Sequence, residues 1–194
     1  MKKPISAILK SRKTVFTFKD ICLLWGLTDR KSAVAGINYY ISTGDLYRIR
    51  RGIYAKDKDY DKVELASRIY TPAYVSFETV LARAGIIFQY YSQIFIASYL
   101  TREIIIDGQT YLYRKIKDAV LTDSAGVLNQ EGSAIATKER AFLDTIYINT
   151  DYHFDNPGGL DWDRVFDILP MYNNKRMAKK VLKHYDDFKA GQQI

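Results

Sequence analysis

The sequence predicts an α+β protein, with an N-terminal winged helix-turn-helix domain at residues 1–56 and an α+β domain with a small antiparallel sheet at residues 57–194. Three observations lead to this prediction. A helical pattern runs directly into a short basic hairpin at 28–56. Residues 1–56 hold 12 Lys and Arg against 3 acidic residues, a balance of +9, whereas residues 57–194 hold 17 against 19, a balance of −2. The second part mixes helical and strand-like periods around an Asp107-Gly108 turn signal.

The overall composition is ordinary for a globular chain of 194 residues, with 47% apolar and 26% charged residues and a net charge of +7. The lone Cys22 excludes a disulfide framework and a Cys-based metal site, and it fits a reducing compartment. We therefore expect a cytoplasmic protein. The N-terminal apolar run is too short for a signal-peptide core, and no stretch approaches membrane-spanning length, so no membrane partner is expected.

The first two predicted helices are short. Residues 4–9 place Ile5, Ile8 and Leu9 at helical spacing. Thr17 can cap a second helix at 18–25, which Gly26 then closes. Followed by a third helix and a hairpin, these elements have the order of a winged helix-turn-helix, in which the second helix braces the third.

The third predicted helix is the recognition helix of that domain. Thr28 or Asp29 can cap it, and Gly44 ends it. Its apolar stripe is Val34, Ile37 and Ile41. The opposite face, mostly able to donate hydrogen bonds, consists of Lys31, Ala35, Asn38, Tyr39 and Ser42. Because Asn and Lys read base edges while Ser and Tyr reach phosphates, the DNA contacts that we predict on this helix are Lys31, Ser32, Asn38 and Tyr39.

The hairpin that follows supplies the wing. Leu46 and Ile49 can face inward, Arg51-Gly52 provides a turn, and Ile53–Ala55 returns as the second strand. The DNA contacts that we predict here are Arg48, Arg50 and Arg51. A polar helix face or an arginine on an edge strand is by itself commonly a solvated surface. The immediate succession of helix, stop and basic hairpin is what favours DNA binding.

The second part alternates helices and strands. Helices are predicted at 63–70, 77–84 with Ser76 as its cap, 137–147, 161–169 and from 173 or 174 to about 189. Strands are predicted at 93–98, 103–106 and 110–116, with Val120-Leu121 and Val127-Leu128 as short additions. The last helix carries a basic side, which we interpret as a solvated face rather than as a second contact to DNA or to an acidic partner.

Catalytic signals are weak. The sequence has no glycine-rich phosphate loop, no paired Cys or His spacing for zinc and no nucleophile elbow. Lys138, Glu139, Arg140 and Asp144 are the most catalytic-looking group. One interpretation is a row of ion pairs, in which Arg140 pairs with Glu139 and with Asp144. The other is a nuclease site, in which the carboxylates hold magnesium. Because such a nuclease needs further convergent carboxylates, we predict no catalytic residue, no metal site and no cofactor, and we do not expect an enzyme.

Three blocks together resemble the AbiEi family of antitoxins, which are regulators of type IV toxin–antitoxin systems. The blocks are RIRRGIYA at 48–55, TPAYVSFETVLARAG at 71–85 and ATKERAFLDTIY at 136–147. The resemblance covers roughly residues 14–150 and implies a two-domain repressor. Its winged helix would bind inverted repeats of double-stranded DNA in its own promoter, and its second domain would counteract a co-transcribed nucleotidyltransferase-like toxin. Because the family acts without a stable toxin complex, no tight heterodimer is implied.

Two alternatives stay open at this point. One is a winged-helix nuclease or nucleotide-modifying enzyme, and the other is a stand-alone transcription factor whose second domain senses a small molecule through the tyrosine-rich segment 88–99. Inverted-repeat binding fits a homodimer and also two monomers on two half-sites. The operator, the toxin and the surface that carries antitoxin activity do not follow from the sequence.

Overall fold

The computed structural model describes residues 5–130, 132–149 and 151–191, except for the side chain of Gln130. Contacts divide the described chain into two compact units. The first comprises the described residues of Met1–Ile69 and Glu131–Ser133, and the second those of Tyr70–Gln130 and Ala134–Ile194. The fold is α+β, as the sequence predicts. The functional division into residues 1–56 and 57–194 stays a prediction.

Helices surround a small sheet in the first unit. The helices are α1 (Ile5–Lys10), α2 (Phe18–Trp25), α3 (Arg30–Ser42) and α4 (Lys62–Ile69). The strands are β1 (Val15–Thr17), β2 (Tyr47–Arg50) and β3 (Ile53–Ala55), all antiparallel in the order β1-β3-β2. The predicted first helix included Pro4, which lies outside the described residues. Strand β1 is not predicted by the sequence, because three residues are too few to show alternation.

Helices α2 and α3 pack closely across a short connection. Gly26 ends α2 in the left-handed region with φ of 65°, a conformation that suits glycine. The Trp25 ring then meets Tyr40 edge to face, with the centroids 5.6 Å apart. A Cβ on Gly36 would lie 3.0 Å from the Trp25 ring, so the absence of a side chain at this position permits the close approach.

A network of buried and half-buried polar groups fixes α4 to the first unit. The carboxylate of Glu64 accepts hydrogen bonds from the Thr14 backbone N–H and hydroxyl, both at 2.8 Å. Arg68 lies 3.3 Å from Glu64 and donates to Asp20 at 2.8 Å. Asp20 also completes a capping box with Thr17 at the start of α2. These contacts explain why α4 belongs to the first unit.

The buried face of α3 differs from the predicted stripe. Ala33 and Ile37 are buried, whereas Val34 is 41% exposed. Both sets of residues have helical spacing, so only packing against α2 and the sheet decides between them. The core that covers this face consists of Ile5, Ile8, Phe16, Ile21, Ile37, Leu46 and Tyr54.

The second unit places a six-stranded sheet among helices. Its helices are α5 (Phe77–Arg83), α6 (Asp118–Leu121), α7 (Lys138–Ile148), α8 (Trp162–Ile168) and α9 (Lys175–Gly191), with 3-10 turns at Pro157–Gly159 and Leu169–Tyr172. Its strands are β4 (Ala73–Val75), β5 (Ile94–Ser98), β6 (Arg102–Ile106), β7 (Gln109–Lys115), β8 (Val127–Gln130) and β9 (Ser133–Ala136), of which Ser133 belongs to the first unit.

This sheet is larger than predicted and mixed, with strand order β6-β7-β5-β4-β9-β8. The hairpin β6–β7 turns at Asp107-Gly108 as predicted, but β7 pairs in parallel with β5, and β4 pairs in parallel with β9. The predicted small antiparallel sheet is therefore wrong for this unit. Every residue of β4 and β5 is buried, so neither strand shows the alternation of a two-faced sheet. Val120 and Leu121 belong to α6 rather than to a strand, because two apolar residues define no period.

Helix α7 lies at the centre of the second unit. All residues from Glu139 to Ile146 are buried, and the helix packs against α5, α8 and α9. A helix that is buried on all sides can place polar groups inside the protein only if they bond to one another. Among the described residues, no helix is long and apolar enough to cross a membrane.

Candidate nucleic-acid interface

The seven predicted DNA contacts are all exposed. They lie on α3 and on the hairpin formed by β2 and β3: Lys31, Ser32, Asn38, Tyr39, Arg48, Arg50 and Arg51. The five residues predicted to face away from the apolar stripe, which include Ala35 and Ser42, are exposed as well. Helix α3 thus exposes a mostly polar face to solvent. Such a face is compatible with contact to a macromolecule and also with contact to water alone.

The N-terminus of α3 is organised by Asp29. Its carboxylate accepts hydrogen bonds from the Ser32 hydroxyl at 2.6 Å, from the Ser32 N–H at 2.8 Å and from the Lys31 N–H at 3.3 Å. The bonds from Ser32, followed by the one from Lys31, lower the pKa of Asp29. The hydroxyl proton of Ser32 therefore serves the helix cap, and a phosphate contact by Ser32 would have to replace that bond.

A hydrogen bond joins the polar face of α3 to the hairpin. The Arg48 guanidinium donates from Nη2 to Oδ1 of Asn38 at 2.8 Å. It also lies over the Tyr54 ring, 6.0 Å from the centroid. An Arg side chain has five N–H donors and an Asn amide has two, so this single bond leaves both groups able to donate to a ligand.

An open groove of about 970 Å³ runs between α3 and the hairpin. Three of its lining residues carry guanidinium groups, namely Arg30, Arg48 and Arg51, and Asn38 lies beside them. No carboxylate occurs among the described residues that line it. Such a groove attracts an anion of matching width, because nothing in its lining opposes the positive charge.

The hairpin turn is fixed next to α2. Gly52 adopts φ of 79°, which favours glycine, and its carbonyl accepts a hydrogen bond from the Phe18 N–H at 2.9 Å. The register of β2 against β3 shifts between Arg48 and Arg50, which marks a bulge. A bulge changes the direction of the side chains around it. Arg51 consequently lines the groove, whereas Arg50 is exposed outside its lining.

The structure brings together only some of the predicted residues. Asn38, Arg48 and Arg51 share the groove, while Lys31 and Tyr39 are exposed on α3 outside the groove lining. The predicted set leaves out Arg30, whose guanidinium lies 5.4 Å from the Phe18 ring centroid at the groove wall. A helical count backwards from Asn38 through Val34 reaches Arg30, so this signal is present in the sequence.

The most catalytic-looking group of the sequence forms a buried network in the second unit. Arg140 and Asp144 are both fully buried, and Arg140 Nε lies 3.2 Å from Asp144 Oδ1. The other N–H groups of Arg140 donate to Tyr74 Oη and Val120 O, and to Ala125 O, Asp123 O and Met171 Sδ. The predicted ion pair between Arg140 and Asp144 is confirmed. Glu139 Oε1 instead lies 3.9 Å from Lys138 Nζ.

Hydroxyl groups complete the surroundings of Asp144. Tyr172 donates to Oδ1 at 2.6 Å, and Ser76 and Tyr74 donate to Oδ2 at 2.8 and 3.0 Å. Ser76 therefore does not cap α5 through its side chain, contrary to the prediction. Burial raises the pKa of Asp144, and the Arg140 charge and the three hydroxyl donors oppose that rise. Burial and the nearby Asp144 charge raise the pKa of Tyr74 and of Tyr172.

A carboxylate surrounded in this way is poorly suited to hold magnesium. Both oxygens of Asp144 already accept hydrogen bonds from protein groups, and Arg140 carries the compensating charge inside the unit. Within the described ranges, no three His, Cys, Asp or Glu residues are arranged to hold a metal ion. The network acts as a structural support for the second unit.

No protein-family model matches the chain, and no curated protein is significantly similar to it. The resemblance to AbiEi antitoxins therefore depends on the three sequence blocks at 48–55, 71–85 and 136–147.

Proposed function

We propose that this protein is a DNA-binding transcriptional autoregulator and antitoxin of a type IV toxin–antitoxin system, with a winged helix-turn-helix in its first unit. The order α1, β1, α2, α3, β2, β3 supports the winged-helix assignment, since the hairpin follows α3 directly. The observation that carries the proposal is the bond from Arg48 to Asn38. It ties the exposed helix face to the basic hairpin beside a groove with three guanidinium groups.

In this proposal, α3 enters the major groove of the operator. Asn38 and Lys31 donate to base edges, and Tyr39 reaches a phosphate oxygen. The arginines of the hairpin neutralise phosphates on the adjacent backbone, which orients α3 but reads no sequence. The bond from Arg48 orients the Asn38 amide before DNA arrives, so less conformational freedom is lost on binding.

The test is binding of the purified chain to its own upstream DNA and to a random fragment of equal length, across a salt series. We expect preference for the upstream fragment and an affinity that falls steeply as salt rises. If roughly three to four phosphates are neutralised, the slope of log affinity against log salt is about −2.7 to −3.6. Equal binding to both fragments at every salt concentration contradicts the proposal and leaves the first unit as a general polyanion binder.

Two variants separate base reading from phosphate contact. Asn38→Ala is expected to lower the preference for the operator by about 10-fold while retaining most binding to random DNA. The double variant in which Arg50 and Arg51 are both replaced by Ala is expected to bind both fragments more weakly. Its affinity is also expected to depend less steeply on salt concentration. Arg102→Ala is the matched control, because Arg102 is exposed on β6 of the second unit. Equal losses for Asn38→Ala on both fragments would remove the base-reading role.

The antitoxin part of the proposal is supported by the blocks at 71–85 and 136–147. In the fold, Tyr74, Arg140 and Asp144 of these blocks bond to one another in the interior. We infer that they maintain the second unit and that a toxin is opposed through exposed residues. The proposal includes a cytoplasmic location and either a monomer or a homodimer on the inverted repeat.

Co-expression with a nucleotidyltransferase-like toxin from the neighbouring reading frame tests this part. We expect the full chain to restore growth, and we expect the Arg50→Ala and Arg51→Ala double variant to restore it equally when both genes are driven by an unrelated promoter. Growth arrest despite soluble full chain would contradict the antitoxin role and leave the DNA-binding role intact.

A further inference from the structure

The loop between α5 and β5 of the second unit exposes two aromatic side chains. Phe88 and Tyr90, between α5 and β5, are 73% and 86% exposed. The later part of the tyrosine-rich segment 88–99 behaves differently, because β5 is buried along its whole length. Core packing therefore explains Ile94–Ser98 but does not explain the exposed rings. Large apolar groups gathered on a surface commonly mark a binding site.

This loop is held in place by its neighbours. The Phe88 N–H donates to Asp155 Oδ2 at 2.8 Å. The Asn156 N–H donates to Ile86 O at 3.0 Å, and the Asn156 amide donates to Gly85 O at 3.2 Å. Three hydrogen bonds thus tie the chain around residue 87 to the chain around residue 155. The exposed Phe88 ring therefore lies on a fixed stretch of backbone, which lowers the entropic cost of stacking a ligand on it.

Beside this support lie two adjoining pockets of about 300 and 230 Å³. The first is lined by aromatic rings, including those of Phe88, Tyr91 and Tyr152. The second is lined by Lys180, Lys183 and His184 together with Asp151 and Asp187. Tyr152 and His153 line both pockets, so the aromatic pocket is continuous with the pocket of mixed charge that Lys180 and Lys183 line.

Lys180 and Lys183 of the second pocket belong to a longer cationic face on α9. The face consists of Lys175, Arg176, Lys179, Lys180 and Lys183, on the side of the helix away from the buried Met177 and Val181. Lys180 donates to Asp151 at 2.8 Å, so one of the five charges is paired. The span from residue 175 to residue 183 is about 12 Å at 1.5 Å per residue. That length exceeds the spacing of about 3.4 Å between charges along one strand of a duplex, so the face can contact more than one phosphate of a strand.

We propose that this surface binds a single-stranded polynucleotide, with bases stacked on Phe88, Tyr90 and Tyr152 and phosphates along the cationic face of α9. Single strands offer both features at once, since their base faces are open, whereas a duplex buries its base faces. The length of the cationic face favours a polymer over a mononucleotide. RNA and single-stranded DNA share this chemistry, and the experiment distinguishes them. This inference does not depend on duplex binding by the first unit.

The experiment uses the full chain and fluorescein-labelled oligonucleotides of about 12 residues, within the usual site size of such surfaces. The probes are an RNA, a DNA of the same sequence and the corresponding DNA duplex. In one variant, Phe88 and Tyr90 are both replaced by Ala. This variant is expected to bind one or both single strands about 10-fold or more weakly, and to bind the duplex as the wild type does. Replacing Lys179 and Lys183 with Gln is expected to reduce the salt dependence of single-strand binding.

A fluorescence measurement reports contact at Phe88, and a variant of the first unit tests whether that unit contributes to single-strand binding. A Phe88→Trp variant keeps an aromatic ring, and its added emission is expected to be quenched on titration with the preferred single strand. The double variant Arg50→Ala with Arg51→Ala is expected to keep single-strand binding. The proposal is overturned if the wild-type chain binds neither single strand, if removal of the two rings changes nothing, or if the first-unit variant abolishes single-strand binding.

Discussion

Arg48 in the first unit and Arg140 in the second make similar contacts in opposite surroundings. Each guanidinium donates to the side-chain oxygen of a residue on a helix, Asn38 or Asp144, and each lies over a tyrosine ring. Arg48 is exposed beside an open groove, whereas Arg140 is fully buried. Arg140 meets oxygen or sulfur acceptors at all three of its nitrogen atoms.

The difference shows that residue type alone does not indicate a binding site. A guanidinium whose donors are all bonded inside the protein can stabilise a fold but has nothing to offer a ligand. An exposed one with a single bond is oriented and still able to bind. Variants at the two positions should therefore separate stability from binding.

The largest expected effect is on the stability of the second unit. Arg140→Ala leaves the Asp144 carboxylate buried without its charge partner, so the free energy of unfolding should fall by about 3–5 kcal/mol. Urea unfolding followed by Trp162 fluorescence in a Trp25→Phe background measures this unit. Arg164→Ala, which breaks an exposed pair with Asp161, is the control and should cost no more than about 1 kcal/mol.

A double replacement sharpens this result. Changing Arg140 to Met and Asp144 to Leu together removes both charges, so it should destabilise the unit less than Arg140→Ala alone. If the single and double variants lose the same free energy, the unpaired charge is not the cause, and the hydrogen bonds of Arg140 to backbone carbonyls account for the loss.

The next effect is that of one hydroxyl donor. Tyr172→Phe removes the 2.6 Å bond to Asp144 without changing the ring, so the free energy of unfolding should fall by about 1–3 kcal/mol. Tyr147→Phe is the matched control, because the Tyr147 ring packs on Tyr172 at a centroid distance of 5.4 Å and its hydroxyl is outside the network. Both variants are measured by the same urea titration. Equal stability of Tyr172→Phe and the wild type would argue that Asp144 does not need this donor.

At Arg48 the expected effect is on binding and not on stability. Arg48→Ala should lower operator affinity by about 10-fold, equivalent to about 1.4 kcal/mol, while unfolding stays within about 0.5 kcal/mol of the wild type. Arg48→Lys keeps the positive charge but lacks the planar set of N–H donors of a guanidinium. Compared with Arg48→Ala, it should therefore recover binding to random DNA more than preference for the operator. A loss of stability comparable to that of Arg140→Ala would show that the Asn38 bond supports the fold.

Local sequence signals predict the helices and the hairpin of the first unit, but not strand β1. Thr17 and Asp29 cap helices and Gly26 ends one, as expected from their residue types. The face of α3 that packs was assigned incorrectly at Val34, because two stripes with helical spacing compete and tertiary contacts choose. The groove formed by Asn38, Arg48 and Arg51 depends on the packing of α3 beside the hairpin, which no local pattern specifies.

Long-range pairing limited the prediction for the second unit. Strands β4 and β9 are short, and β4 is buried throughout, so their parallel pairing left no pattern in the sequence. The ion pair of Arg140 and Asp144 was predictable because it spans one helical turn. The three hydroxyl groups that donate to Asp144 come from two other parts of the chain. Only the fold therefore shows that both oxygens of this carboxylate already accept hydrogen bonds.

Asp20 is half-buried, so its contact with Arg68 is intermediate in exposure between the Arg48 contact and the Arg140 contact. Burial acts to raise its pKa, but hydrogen bonds from Thr17 and the charges of Arg68 and Lys13 outweigh burial and lower the pKa below 3.8. A depressed carboxylate pKa stabilises the fold above its unfolded value and loses that contribution as pH falls through the folded value. The stability difference between the wild type and Asp20→Asn should therefore be largest near neutral pH and should shrink as pH falls below 3.8. Urea titrations followed by Trp25 fluorescence in a Trp162→Phe background measure it. A difference that stays constant with pH would mean that Asp20 acts through the geometry of its capping box, which the Asn side chain fails to reproduce, and not through its charge.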